Sequence, residues 1–256
     1  MIESLMFSII AGAISGVPTV TLAKMEHQQT WLGKLIAHCF TWPGARDPEV
    51  IAFFDRSDKA SLPAIIGDLA RQMAGPGKSV MVHVEGTRAL SCRKPVEKMS
   101  GAFIDMALGV NAPIVPVRFT GGLPTEPLEV RTDFPVGMGS QDIWFGTPLL
   151  PEDLASQPYG ERKKRVIAAI NALGPDNAEE SPHVPDPDFA RAVRDWQSET
   201  GVSEAHATLL RVLQAQATPC AGTSRLLQAV RDGNFEADGS GEDAFLGLLY
   251  RWLRGG

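Results

Sequence analysis

Positive charge is in short supply here. Lys and Arg number 24 against 30 Asp and Glu, a formal net charge of −6 over 256 residues. Proteins that hold nucleic acid usually show a Lys/Arg face, so the balance argues against nucleic acid as a partner, while leaving room for a local pocket that takes a small anion. Cysteine is sparse too. Cys39, Cys92 and Cys220 are odd in number and irregular in spacing, which gives neither a disulfide framework nor a zinc pattern. They read as packing or surface residues in a reducing, cytoplasmic setting. The chain has no Gly-x-Ser-x-Gly elbow, and that sets aside an α/β-hydrolase-type enzyme. It also has no unbroken apolar run of membrane-spanning length. Leu5–Ala23 comes near that length, but Gly16 and Pro18 interrupt it, and only Glu3 precedes it where a signal peptide needs positive charge. The run reads as a buried helix, a Gly-Val-Pro turn and a buried strand; the alternative is a helix lying on a membrane surface.

What the chain does have is 44% apolar residues, enough for a globular core, arranged as alternating strand and helix patterns. Residues 5–15 predict a helix and 19–23 a strand. Helical spacing recurs at 27–40, through Trp31, Leu32, Leu35, Ile36 and Cys39. Residues 50–58 predict a strand ending in a charged loop, 59–75 an amphipathic helix stopped by a glycine, and 79–84 a strand. A helix at 99–111, a strand at 113–120, a late strand in "DIWFG", a helix start at Pro151 and a helix at 160–173 complete the pattern. This order predicts an α/β domain over residues 1–173, with a mixed central sheet flanked by helices. Residues 174–188, rich in proline and acid, read as a linker, and 189–256 as a helical appendage.

Two phrases in "GPGKSVMVHVEGTRAL", residues 75–90, could hold a phosphate. A P-loop needs a glycine five positions before Gly77, where Gln72 stands, and it must follow a strand and open a helix. Gly75–Ser79 follows a helix and opens a strand, so it is a turn. Glu85-Gly86-Thr87-Arg88 follows the strand's carboxyl end, where ligands gather in α/β sheets. Gly86 permits a sharp turn and a close approach to a ligand. Arg88 offers a planar fork of donors suited to phosphate.

The blocks around that phrase resemble the glycerolipid acyltransferases, the 1-acylglycerol-3-phosphate acyltransferases and their relatives. Glu85, Gly86, Thr87 and Arg88 match the family's Glu-Gly-Thr-Arg, and Gly101 and Ala102 match its Gly-Ala helix. Pro113, Ile114, Val115, Pro116 and Val117 match its Pro-Ile-Val-Pro-Val. "VIAFFDRSDKAS" resembles the block ending in Asp-Arg, with Arg56 at the matching position, and "VPTVTLAK" the strand and Lys before it. The resemblance covers roughly residues 3–155 and implies a glycerol-phosphate acyltransferase-like fold. It implies transfer of an acyl group from acyl-CoA or acyl-carrier protein to a lysophospholipid-type acceptor, in phospholipid biosynthesis, with no cofactor and no metal. Arg56 and Arg88 are expected to hold the acceptor's phosphate, and Glu85, Gly86 and Thr87 to shape the pocket. Lipid substrates imply peripheral contact with the cytoplasmic face of a membrane.

The chain departs from the family in two ways. The family's base is the His of a His-x4-Asp box, oriented by the acid. Glu3 falls at the acid position, and its His falls ahead of Met1. The expectation is therefore a chain that begins inside its own first motif, with Glu3 as the remnant of the box; as written it should be weak or inactive, because losing a positioned base costs about 10²- to 10⁴-fold. The alternative is an inactive lipid- or phosphate-binding or scaffold module of a larger synthase. His83, two residues before Glu85, is the leading substitute base, with a packing role the competing reading; His27 and His38 lie on a predicted helix that should pack beside the site. Second, Met99 and Ser100 stand where the family often carries basic residues, and Lys94 and Lys98 are the nearby cations that could replace them.

Overall fold

A computed structural model describes residues 2–39, 51–55, 57–58, 60–75, 77–87, 89–91, 94–121, 123, 126–129, 141–175 and 186–255. The chain divides into two compact units, Met1–Met25 with Glu49–Asp133 and Met138–Val184, and Glu26–Pro48 with Phe134–Gly137 and Pro185–Gly256.

The first unit is built on a parallel sheet of three strands in the order β2-β1-β3, with β1 Thr19–Lys24 between β2 Ile51–Phe54 and β3 Ser79–Met81. A central parallel strand is covered on both faces, and β1 is buried from Thr19 to Leu22. One face is polar: Thr21 hydrogen-bonds Ser8 of the preceding helix, α1 Ile2–Ser15, and Thr19 Oγ1 lies 2.8 Å from Ser79 Oγ on β3. The other face is apolar. Val20 and Leu22 pack with Leu69 and Met106, which come from α3 Leu62–Ala74 and α4 Ala102–Gly109. Alternation along one strand thus selects a different helix layer for each face. Gly16, at φ +70°, and Pro18 turn the chain from α1 into β1.

Two further strands form a separate antiparallel ribbon, β4 Val117–Gly121 and β5 Gln141–Phe145. Among the described residues the expected single mixed sheet is thus a parallel sheet plus this ribbon. Phe119 and Phe145 lie on one face of the ribbon and meet Phe7 of α1, with ring centroids 5.7 and 5.8 Å away. A second core gathers Met99, Ile104, Leu154, Val166 and Ile170, drawing on α4, α5 Pro151–Ala155 and α6 Tyr159–Asn171. Strand 113–120 begins later than its sequence predicts. Pro113 and Pro116 have no N–H to give a ladder, so Ile114 makes only an isolated bridge to Leu149. Helix α1 is covered on one side only: Phe7 is buried, while Ile9 and Ile14 are 67% and 72% exposed. No helix among the described residues is long and apolar enough to cross a membrane.

The second unit is helical. It holds a 3₁₀ turn at Met25–Gln29, α2 Trp31–Cys39, α7 Pro187–Thr200, α8 Glu204–Gln214, α9 Ala221–Asp232 and α10 Asp243–Leu253. The helix predicted over 27–40 is therefore this turn followed by α2. Helix α7 starts inside the span predicted as a linker, because the Asp186 carboxylate accepts the N–H groups of Asp188 and Phe189 and Pro187 sits in the first turn. The rest of that span, 176–185, lies outside the described residues. The core includes Val193, Trp196, Leu210, Leu226 and Leu253, with Trp31 and Leu35 of α2 packed against it.

His206 lies in this core. Its Nδ1 is 3.0 Å from the Leu253 carbonyl, so Nδ1 carries the proton and donates it, and its ring meets Trp252 edge-on at 4.4 Å. Burial pushes its pKa below the ordinary 6.5, partly opposed by the Leu253 bond, and burial pushes His38 down as well. The sign follows. The unfolded chain takes up these protons first, so their contribution to stability is complete above pH 6.5 and is lost as pH falls through 6.5 toward the folded values. The urea midpoint is expected to be lower at pH 5.5 than at 7.5, and His206→Gln should flatten the difference. A midpoint equal at both pH values contradicts this account.

Candidate active site

In a parallel sheet all strands end at the same edge. Lys24 closes β1, Phe54 pairs with it from β2, and Met81 closes β3. The segments that follow, from Asp55 and from Val82, leave the sheet toward that edge on either side of β1, with β3 ending three residues short of it. Strand order also reverses at β1, and ligands bind outside the carboxyl ends of strands at such a point. Helix α1 runs antiparallel to β1, as the mid-helix Ser8 to mid-strand Thr21 bond shows. Its first turn, with Glu3 and the positive end of its dipole, comes to this same edge.

Here the sequence predicted a strand through residue 84. The strand ends at Met81, and the chain turns at 83–86, where the Gly86 N–H donates to the His83 carbonyl at 2.8 Å. Gly86 takes φ +61°, a conformation that costs glycine nothing. The turn leaves His83 and Thr87 exposed and Glu85 half-buried, while Val84 packs against the second core. The motif is thus pinned by one apolar side chain, with its polar groups facing outward. Gly77, at φ +72°, makes the turn that leads into β3, and Lys78 N–H donates to Gln72 carbonyl, which is the helix-to-strand geometry expected there.

At the end of β2, Asp55 Oδ1 accepts the Ser57 N–H at 2.8 Å and the Ser57 hydroxyl at 2.6 Å. These bonds hold its carboxyl below the usual carboxylate range. Arg56 and Arg88 lie outside the described residues, as do Cys92 and the side chain of Glu3. Lys24, which matches the family's strand-and-Lys block, closes β1 at this edge. Of the other histidines, His27, His38 and His206 belong to the second unit, and His183 lies outside the described residues. The densest basic run, Arg162–Arg165 on α6, is largely engaged locally: Arg162 with Asp105, Lys164 with Glu161, Arg165 with Asp153.

A family model described as Acyltransferase matches residues 2–120. Over that span the chain is similar to the acyltransferase family. The matched span contains the parallel sheet, the 83–87 turn and α4. No curated protein and no solved structure matches the chain. Among the described residues, the matched span offers a polar edge that includes His83, Lys24 and a glycine-dependent turn.

Proposed function

We propose that the chain transfers a fatty acyl group from acyl-CoA or acyl-carrier protein to the free hydroxyl of a glycerol-phosphate or lysophospholipid-type acceptor. The observation that carries this reading is the coincidence of the family match with the Glu85-Gly86-Thr87 turn at the carboxyl edge of the sheet. Arg56 and Arg88 hold the acceptor's phosphate, each as a charged fork, with Lys24 adding to the positive field. Glu85, Gly86 and Thr87 shape the pocket. A base removes the hydroxyl proton as the oxygen attacks the thioester carbonyl, and the thiolate leaves with a proton returned from that base. Support for His83 as this base is its place: exposed, two residues past β3, and two before Glu85. The first turn of α1 comes to the same edge. Lipid acceptors bring the protein to a membrane surface from the cytoplasmic side, a reading that the exposed Ile9 and Ile14 support.

His83→Ala is expected to lower kcat about 10²- to 10⁴-fold, with acceptor KM within about threefold, in a transfer assay with acyl-CoA and 1-acylglycerol 3-phosphate. An unchanged kcat removes His83 from the chemistry. The competing reading is a module that binds the acceptor without turning it over. Acceptor binding without thioester cleavage decides for it.

A further inference from the structure

Ten residues beyond the Glu85 turn, the chain crosses to α4 along residues 94–101, and α6 holds this crossing at both ends. Asn171, the last residue of α6, makes two bonds to one backbone unit: its Nδ2 donates to the Val96 carbonyl at 2.9 Å, and its Oδ1 accepts the Val96 N–H at 2.9 Å. Tyr159, the first residue of α6, sets its phenol against Gly101, in the space that a Cβ at Gly101 would fill. Asn171 and Tyr159 stand about 18 Å apart along the helix axis. Val96 and Gly101 are five residues apart, about 17 Å when extended. The lengths agree, so the crossing runs along α6 and antiparallel to it. Between the two ends Met99 is buried in the cluster that includes Val166 and Ile170 of α6. Val84, beside Glu85, packs on that same cluster.

Helix α6 thus supports both the turn that carries Glu85 and the crossing that follows it, although it lies beyond residue 120 and outside the family match. With Val96 and Met99 held inward, Lys94, Lys98 and Ser100 are exposed. These are the residues nearest the positions where the family often carries cations. We propose that Asn171 is a positioning residue for the acceptor: it fixes the Val96–Gly101 crossing as a wall of the phosphate site and presents Lys98 and Ser100 at a set distance from the Glu85 turn. Tyr159 is its counterpart at the other end, and the need for a glycine at 101 follows from that ring. The inference rests on the acceptor site proposed above.

The test is calorimetric binding of glycerol 3-phosphate to the full 256-residue chain, below the melting temperature of every variant. Asn171→Ala is expected to raise the dissociation constant about tenfold, and Asn171→Asp, which keeps only the bond from the Val96 N–H, about threefold. Affinity for a non-cleavable acyl-CoA thioether should stay within twofold in both, whereas a merely structural loss moves both ligands together. Gly101→Ala should weaken acceptor binding with Tyr159 in place and much less in a Tyr159→Ala background. If Asn171→Ala fails to fold, Asn171→Asp decides. Wild-type affinity for glycerol 3-phosphate in a folded Asn171 variant overturns the inference alone. A wild-type chain that does not bind glycerol 3-phosphate overturns the acceptor site, and the inference with it.

Discussion

Replacing Arg88 with alanine is expected to cut kcat/KM for a glycerol-phosphate acceptor by about 10²- to 10³-fold. A charge-assisted hydrogen bond contributes about 1.5–3 kcal/mol, and a guanidinium gripping phosphate through two of them about 3–4 kcal/mol in all. At about 1.4 kcal/mol per factor of ten that gives the range stated. The loss should fall mainly on the acceptor's KM, because the phosphate is held equally before and during the reaction. Arg88→Lys keeps the charge and loses the fork, so it should recover only part of the loss. The grounds are the position of the residue, directly after a turn that Gly86 shapes and Val84 anchors. Wild-type kinetics from Arg88→Ala would remove the pocket assignment.

The second large effect is on stability. Leu69 is fully buried and packs with Val20 and Leu22 of β1 and Met106 of α4. It joins the apolar face of the central strand to both helices that cover it. Leu69→Ala leaves a cavity in a region that two helices and a strand hold open, and should cost about 3–5 kcal/mol. For a domain of this size each kcal/mol moves the melting temperature by about 2–4 °C, so a drop of about 6–20 °C is expected. Ile14→Ala, on the exposed side of α1, should cost less than about 0.5 kcal/mol. Equal effects from the two substitutions would contradict the packing described for the sheet.

Periodicity made most elements of the first unit legible. Leu5–Ala23 resolved into helix, turn and strand because Gly16 and Pro18 punctuate it and Thr19–Leu22 are β-rich. Where the reading strayed, local chemistry overrode pattern. Residues 82–84 continue the β-rich run of β3, yet the chain turns because Gly86 can take a positive φ and return its N–H to His83. Pro113 and Pro116 shorten β4 by removing donors, although the apolar run is unbroken. Asp186 starts a helix inside an acidic, proline-rich stretch because its side chain caps one. The grouping of residues 26–48 with Pro185–Gly256 has no local signature, since it depends on where apolar faces find partners far along the chain.

At the candidate site, a turn after a strand was legible at Glu85 to Thr87, although β3 ends at Met81 and only the parallel pairing of the three strands supplies the common edge. The Asn171 and Tyr159 contacts were not legible at all. One is a side chain reaching a backbone 75 residues away, the other a ring filling a glycine's empty side. Neither leaves a periodic trace.

The measurement that tests the central claim most directly is release of CoA thiol from an acyl-CoA by the purified 256-residue chain, with and without 1-acylglycerol 3-phosphate. Acyl transfer at the Glu85–Arg88 pocket predicts release that depends on the acceptor, yields the diacylated product in equal amount, and disappears in Arg88→Ala. Release at the same rate without acceptor, or none while the acceptor binds, would contradict it.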